Sequence, residues 1–295
     1  MVAALGTPAW ACDLCSIYSA TEAQNGGKGI FAGVAEQFTE FGTLQMDGVR
    51  VPGNGEYIDS SVSQIYAGYN FNQHIGLQFN LPVIYRAYGD NFMRADESGI
   101  GDASLTANIR LYKKSTDNFT FTWTALGGIK FPTGDSSLLN ASDGSLPSGI
   151  GGHDLALGSG SFDGLVGTGL SARWKRVFIN GQMQYGIRTR GDFAHRYGND
   201  WTWAAGVGTY LLLKDEYSLA LQFTTSGESK GMDTFAGAPD PDSAETVIYA
   251  GPELALTWHD NLSIHGGVDV PLSRANSGEQ LMPDYRVHAG INWRF

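Results

Sequence analysis

The last eleven residues read Tyr285-Arg-Val-His-Ala-Gly-Ile-Asn-Trp-Arg-Phe295. Odd-numbered positions of this stretch are apolar or aromatic, and even-numbered positions are Arg, His, Gly, Asn and Arg. Because the side chains of a β-strand alternate between two faces, the stretch predicts a strand with one apolar and one polar face. The apolar row ends on an aromatic ring at Phe295.

This final segment resembles the terminal strand of bacterial outer-membrane barrels, which the barrel-assembly machinery recognises, and Phe295 is then the assembly signal. The same alternation recurs along the chain, without a convincing helical period. Twelve segments are predicted as strands, near 28–46, 57–70, 73–86, 99–113, 117–131, 161–174, 176–190, 200–213, 216–226, 245–258, 261–272 and 284–295.

The connections between these segments alternate in length. Five are short, such as Asn70–Asn72 and His259–Asn261, and six are long, the longest covering residues 132–160. Outer-membrane barrels have even strand numbers, short periplasmic turns and long extracellular loops. The pattern predicts an all-β fold: a single antiparallel up-and-down transmembrane β-barrel of about twelve strands over residues 28–295.

The composition fits this fold class. Gly accounts for 40 of 295 residues, aromatic residues for 12% and charged residues for 17%, whereas about 7% Gly and 25% charged residues are usual. A net charge of −11 without a basic block argues against nucleic-acid binding. Apolar runs are too short for a transmembrane helix, but spanning strands need only alternating apolar positions.

A soluble β-sandwich or lipocalin-like barrel is the alternative fold. It would point the apolar face at an internal core and leave the crowded polar face hard to place. In a membrane barrel that face lines the lumen, and aromatic residues near strand ends form an interfacial girdle. The predicted lumen-lining residues are Arg86, Asp102, Asn108, Arg110, Lys130, Asp163, Arg173, Asn180, Gln182, Gln184, Arg188, Arg190, Glu253, His265, Asp269, Arg286, His288 and Arg294.

Basic residues outnumber acidic residues on these inward faces, whereas most acids fall in the long loops. Charges that line a confined pore are screened less than exposed charges and dominate which ion enters. The sequence therefore predicts a weakly anion-selective pore, or one that accepts acidic aromatic solutes, with Arg188 and Arg190 contributing to selectivity.

A motif lies where the fifth predicted strand ends. It comprises Lys130, Phe131, Pro132, Thr133, Gly134 and Asp135, and the following loop ends in Gly158-Ser-Gly-Ser-Phe-Asp163. Pro132 lacks an N–H and ends strand pairing, and Thr-Gly-Asp has turn chemistry. The pair of segments resembles the outer-membrane transporter barrels of the phenol-degradation (meta-pathway) family. That resemblance implies an outer-membrane channel, sometimes encoded beside the degradation of aromatic compounds.

The N-terminal segment is predicted to lie outside the barrel. Residues 1–11 end in Ala9-Trp-Ala11, a small-x-small pattern typical of a signal-peptidase site, and are interpreted as a signal-peptide remnant. Residues 12–27 form a periplasmic segment that carries Cys12 and Cys15. In an oxidising periplasm this pair favours a small disulfide loop, and redox contact with a partner is the alternative.

The predicted function is an outer-membrane channel for passive uptake or efflux of small solutes, aromatic or hydrophobic ones among them. No enzyme activity, catalytic residue, metal or cofactor is predicted, because the six His residues lack metal-ligand spacing. Expected partners are outer-membrane lipid and lipopolysaccharide, the assembly machinery and a small-molecule solute. Two alternatives stay open: a scaffold or conduit that holds a periplasmic or surface redox partner, and a barrel hydrolase.

Overall fold

The computed structural model of the protein describes residues 28–141, 146–259 and 261–295. The predicted signal remnant 1–11, the segment 12–27 and both cysteines, Cys12 and Cys15, lie outside the described residues. Within the described part no helix has the length and apolar character that a membrane crossing requires.

Long antiparallel strands at the predicted positions form the wall, which confirms the all-β fold class and its twelve strands. Their bounds are β1 Gly29–Met46, β2 Tyr57–Asn70, β3 Ile75–Gly89, β4 Ser104–Ser115, β5 Phe119–Lys130, β6 Asp163–Trp174, β7 Val177–Ile187, β8 Asp200–Leu213, β9 Tyr217–Lys230, β10 Glu245–Trp258, β11 Leu262–Asn276 and β12 Glu279–Arg294. Each strand pairs with its neighbours in the chain, so the topology is up-and-down.

The sheet closes because β1 also pairs with β12, from Phe31–Arg294 to Met46–Glu279. In hydrocarbon every backbone N–H and C=O must be bonded within the protein, and a closed barrel meets that demand without a free edge. At the end of the chain, the amide of Phe295 donates to the carbonyl of Ile30 at 2.9 Å.

Shorter elements lie in the long connections. The two-residue strand Val49–Arg50 pairs with β1, and Arg94–Ile100 extends β4 by pairing with the upper half of β3. The others are a 3₁₀ turn Ser137–Asn140, a one-turn α-helix Gly152–Leu155, a 3₁₀ turn Asp192–Ala194, and a small sheet of His195–Arg196, Thr234–Phe235 and Ala238–Pro239.

Several connections are shorter than the sequence predicts, because strands continue past the membrane as hairpins. The predicted loop 273–283 shrinks to Ser277 and Gly278, between β11 and β12. The predicted loop 227–244 loses its first residues to β9, which continues to Lys230. In the other direction, β7 ends at Ile187, before the predicted strand end at residue 190.

Burial in the barrel is the inverse of burial in a soluble protein. Along β3, Gln78, Asn80 and Arg86 are fully buried, whereas Phe79 and Val83 between them are 45% and 39% exposed. The same alternation holds in β4, where Thr106 is buried and Ile109 is exposed. The polar row therefore faces the lumen and the apolar row faces lipid, as expected for a membrane barrel.

Aromatic side chains mark the short-turn end of the outward surface. Trp174, Trp258 and Trp293 are each at least 45% exposed there, and the Phe295 ring lies 6.3 Å from that of Trp293. Such rings sit at membrane–water interfaces. Three carboxylates interrupt the apolar surface on β1 and β2: Glu36, which accepts hydrogen bonds from two serine hydroxyls of β2, and the register partners Glu40 and Asp59.

The closed sheet predicts heat-modifiable behaviour. The protein should fractionate with outer membranes and migrate faster on a gel before boiling than after, because the closed sheet has no edge at which unfolding starts. Recovery in the soluble periplasm, or identical migration of boiled and unboiled samples, would contradict the fold.

Deletion of Phe295 should lower the yield of inserted barrel, since that residue completes both the outward aromatic row and the closing β1 contact. The measurement is the amount of heat-modifiable protein in outer membranes. Phe92→Ala serves as the control, because Phe92 lies in a long connection and is 85% exposed. Equal yields for the deletion variant and the Phe92→Ala variant would count against the role of Phe295.

Candidate functional site

The segment between β5 and β6 is described at residues 131–141 and 146–162, and these residues fold back into the barrel mouth. Leu155 is fully buried and packs in a cluster with inward side chains of three strands, Leu44, Tyr88 and Leu281. Leu157 packs against Val62 and Ile84. These contacts place the segment, hereafter the mouth segment, inside the loop end of the lumen.

Hydrogen bonds from the wall to backbone carbonyls of the mouth segment add to this packing. The Nη1 of Arg86 donates to the carbonyl of Ala156 at 3.0 Å, and the amide of Leu281 donates to the carbonyl of Gly149 at 3.0 Å. Arg86 belongs to β3 and Leu281 to β12, so the mouth segment is bonded to two separate parts of the wall.

Both ends of the mouth segment meet on one carboxylate, Asp102. Its oxygens accept hydrogen bonds from the amide of Gly134 at 3.0 Å, the amide of Ser159 at 2.9 Å and the hydroxyl of Ser159 at 2.7 Å. The ammonium of Lys130 lies 2.5 Å from the same group. A buried carboxylate with several donors and a cation is well satisfied, so Asp102 ties the start and the end of the segment together.

Lys130 links Asp102 to a second ion group. Its Nζ is 2.9 Å from Asp163 Oδ2 and also bonds the Ser159 hydroxyl. Asp163 in turn contacts Arg188 Nη1 at 3.1 Å, and Arg188 Nε donates to Asp200 at 2.6 Å. Three of the five charged groups lie on β5, β6 and β8, Asp102 lies just before β4, and Arg188 lies just after β7; we call this set the anchor.

The anchor is electrically almost balanced and dry. Lys130, Asp163, Arg188 and Asp200 have side chains no more than 6% exposed, and that of Asp102 is 8% exposed. Removing one member of a buried charge network leaves its partners uncompensated, which costs about 3–5 kcal/mol.

The glycines of the motif are explained by close backbone contact. A Cβ at Gly134 would lie 2.5 Å from the carbonyl of Leu157, and a Cβ at Gly158 would collide with the Gly134 backbone. The Gly158 amide donates to the Asp135 carbonyl at 2.8 Å. The two ends of the mouth segment therefore run side by side, and side chains larger than hydrogen do not fit between them.

The remaining motif residues fix the turn. The Thr133 hydroxyl donates to the carbonyl of Gly101 and accepts from the amide of Ala103, both at 2.8 Å. The amide of Ser137 donates to the Asp135 carboxylate at 2.8 Å and lowers its pKa. Phe131 faces outward, with its ring edge-on to that of Phe162. Pro132 follows directly after β5.

A second set of contacts covers the mouth segment from outside. The Tyr197 hydroxyl donates to the carbonyl of His153 at 3.0 Å, and the rings of His153 and His195 stack at 6.4 Å. His195 Nε2 lies 3.5 Å from Asp233, which also contacts Lys230 at 3.1 Å. Burial lowers the pKa of His195, with Asp233 acting in the opposite direction. Among described residues no group of three or more His, Cys, Asp or Glu is placed to hold a metal.

Deeper in the lumen a polar network joins β7, β9, β10, β11 and β12. Asn180 donates to Gln222, and Gln222 donates to Glu253 at 2.8 Å. His288 lies between two carboxylates, 3.6 Å from Glu253 and 3.7 Å from Asp269.

The structure places the predicted lumen residues as follows. On inward positions and buried are Arg86, Asn108, Arg110, Lys130, Asp163, Asn180, Gln184, Arg188, Glu253, His265, Asp269, Arg286 and His288. Partly buried are Asp102, Arg173, Gln182 and Arg294. Arg190 lies beyond the end of β7 and is exposed.

Two buried carboxylates outside the predicted lumen set, Asp200 and Glu228, lie on the inward rows of β8 and β9. Alternation identifies Asp200, which precedes Thr202 and Ala204 in the same row, whereas Glu228 was predicted to lie in a long loop. Arg188 is neutralised by Asp163 and Asp200. Nearer the short turns, the inward rows carry Arg110, Arg173 and Arg294.

Comparison with solved structures supports the architecture. The chain is similar to the COG4313 outer membrane channel from Pseudomonas putida F1, with a TM-score of 0.66 and 17% identity over 91% of this chain and 96% of that one. The β domain of the Bordetella autotransporter BrkA gives a TM-score of 0.50 with 9% identity, covering 92% of this chain and 100% of that one. At these identities the likeness shows the fold.

No protein-family model matches the chain, and no curated relative matches it at a significant level. The closed barrel, its apolar outward surface and its outer-membrane neighbours place the protein in a bacterial outer membrane, which confirms the predicted location.

Proposed function

We propose that the protein is a passive outer-membrane channel for small solutes, closed at its loop end by the mouth segment. The observation that carries this proposal is the anchor, in which Asp102 holds both ends of the segment through four donors. Asp102 joins the two ends of the segment, and Leu155 packing and the hydrogen bonds to Arg86 and Leu281 hold its middle. Losing Asp102 therefore weakens the hold on the segment at its base. Displacing the segment then opens a polar lumen without disturbing the barrel wall.

Small organic acids with an apolar body are the proposed solutes. At the mouth, the cluster of Leu44, Tyr88, Leu155 and Leu281 offers an apolar surface, and Arg110, Arg173 and Arg294 offer positive charge near the short turns. The resemblance of the Lys130–Asp135 motif to the phenol-degradation family supports aromatic compounds among these solutes.

A channel is favoured over a barrel hydrolase. Hydrolases of the Ser-His-acid type need a nucleophile hydrogen-bonded to the histidine, whereas His288 lies between Glu253 and Asp269. The P. putida neighbour is itself described as a channel, which supports the same assignment. A scaffold or conduit for a redox partner would act through Cys12 and Cys15, outside the described residues.

Replacing Asp102 with Ala should open the mouth. The change leaves the amides of Gly134 and Ser159 and the ammonium of Lys130 without this acceptor. A loss of about 3 kcal/mol would shift the closed–open equilibrium by about 100-fold. We expect a higher open probability and larger mean conductance in planar bilayers, with heat-modifiable migration unchanged.

The matched control is Asp96→Ala, which removes an exposed carboxylate from the Arg94–Ile100 extension of β4. This variant should conduct like the native protein. If Asp102→Ala also conducts like the native protein, the anchor does not hold the mouth closed. If neither the native protein nor Asp102→Ala conducts, the channel proposal fails.

Ion selectivity should depend on the arginines near the short turns. The double change Arg110→Ser and Arg294→Ser should shift the reversal potential of the Asp102→Ala channel toward cations, because these charges line a confined pore. Arg190→Ser is the control, since Arg190 is exposed beyond β7, and should leave the potential unchanged. An unchanged potential in the double variant would assign selectivity to other charges.

A further inference from the structure

The barrel wall contains a seam between β11 and β12. These two strands pair from Leu262–Trp293 to Asp269–Arg286, and their ladder stops there. Above that point, residues 270–276 pair with β10 and residues 279–285 pair with β1. Between them lies a stretch of wall without ladder hydrogen bonds. By contrast, β9 and β10 pair continuously from Tyr217–Trp258 to Lys230–Glu245.

Proline chemistry explains where the ladder stops. The amide of Arg294 donates to the carbonyl of Asn261, so the backbone groups of Asn261 point toward β12. In a regular strand the backbone groups of every second residue point to the same side. Those of residue 271 would therefore also point toward β12, and that residue is Pro271. Proline has no N–H to donate. Pro271 therefore removes the next bond that β11 would make to β12.

The partner strand is irregular at the same level. Continuing the β11–β12 register would place Asp284 opposite Pro271. The β1–β12 register shifts at this point, from Glu40–Tyr285 to Phe41–Pro283, which leaves Asp284 in a bulge. A second proline thus adjoins Asp284, and bulges end regular pairing. Both sides of the seam are therefore specified by the sequence.

The seam lies at the height of the outer leaflet. The paired part of β11 covers eight residues, Leu262 to Asp269. At a rise of about 3.3 Å per residue and a tilt near 40°, these span about 20 Å of a lipid-facing band about 25 Å tall. Val270 and Leu272, the first apolar residues above the paired part, are 51% and 67% exposed on the outer surface.

Apolar side chains also lie on the inner side of the seam. Met282 of β12 is fully buried and packs with Val247 and Tyr249 of β10. Elsewhere the inward rows are mostly polar. Apolar side chains therefore lie on both sides of the seam, Met282 within the barrel and Leu272 on the lipid-facing surface.

One ion pair bridges the seam. Arg274 Nη2 lies 3.0 Å from Asp284 Oδ1, which also accepts from the Thr43 hydroxyl at 2.6 Å. The two charged side chains are 25% and 35% exposed. Ion pairs at such sites contribute about 0–1 kcal/mol. Nearer the hairpin turn, Asn276 Nδ2 donates to the carbonyl of Gln45 at 3.3 Å and Gln280 Nε2 to that of Ala244 at 3.0 Å, so the strands part most easily below these bonds.

We propose that this seam is a lateral passage through which uncharged apolar solutes move between the lumen and the outer leaflet. The inference rests on the channel proposal and adds a second exit for a second class of solute. Charged solutes use the axial route, because the outer end of the seam opens on lipid. Apolar solutes reach the membrane through the seam without crossing the polar lower lumen.

Bridging the seam tests the passage. Arg274→Cys and Asp284→Cys are combined with Cys12→Ser and Cys15→Ser in the full chain, and the two thiols are joined with a short bis-maleimide. The probe is N-phenyl-1-naphthylamine, an uncharged dye that fluoresces in lipid, added to intact cells whose protein also carries Asp102→Ala, so that the mouth is open. Before bridging, entry should be at least as fast as with Asp102→Ala alone, because the ion pair is gone. After bridging, it should fall to the rate of cells that lack the protein.

The control places the bridge in the paired part of the same hairpin, at the register partners Val268 and Val287. That variant should admit the dye at the rate of the Asp102→Ala protein. Chloride conductance of each bridged protein, measured in the Asp102→Ala background, should stay unchanged. Unaltered dye entry after bridging the seam, or loss of dye entry and conductance together, would overturn the lateral passage.

Two further results separate the possibilities. If the seam variant assembles poorly, Pro271→Val is used instead, again together with Asp102→Ala. It restores an amide donor and should slow dye entry; unslowed entry in that variant would contradict the inference. If Asp102→Ala channels conduct chloride but never admit the dye, the lateral passage fails and the channel stands. If neither chloride nor dye passes, the channel proposal itself fails.

Discussion

A sheet that crosses a lipid bilayer must bond every backbone N–H and C=O within itself, because hydrocarbon offers no partner. The ladder between β1 and β12 meets this demand by closing the wall. Closure gives the sheet one surface toward lipid and one toward the lumen. Successive side chains along each strand point alternately to these two surfaces. Polar residues such as Gln78 and Arg86 are thereby buried and must find partners inside.

The anchor is the clearest outcome of that requirement. Lys130 and Asp163 come from neighbouring strands, and Asp102 precedes a third, so the wall itself brings them together. Asp102 also accepts hydrogen bonds from the Gly134 and Ser159 amides of the mouth segment. The interactions that satisfy this buried charge therefore also help to hold the mouth closed, together with the packing of Leu155.

Strand alternation and loop length were enough to predict the barrel, because each strand pairs with the next along the chain and an even number of strands lets the last pair with the first. The inward fold of the mouth segment was beyond that reasoning. It depends on Leu155 meeting Tyr88 and Leu281, residues far apart in sequence. The pairing of Arg188 with Asp163 and Asp200 joins neighbouring strands, but it depends on side-chain directions beyond the strand ends, which alternation does not give; it changes the expected lumen charge. Pro271 is evident in the sequence, but whether it removes a hydrogen bond to β12 depends on which neighbouring strand its backbone faces.

Thiol accessibility of the mouth segment reports whether Asp102 holds that segment inside the barrel. Leu155→Cys, in a chain with Cys12→Ser and Cys15→Ser, is exposed to a membrane-impermeant maleimide on intact cells, and Phe92→Cys supplies the rate for an exposed position. If Asp102 holds the segment, Leu155→Cys is labelled slowly in the native background. Once Asp102 is replaced by Ala, its labelling should approach the Phe92→Cys rate. Rapid labelling in the native background, or protection that survives the loss of Asp102, would contradict this role of Asp102.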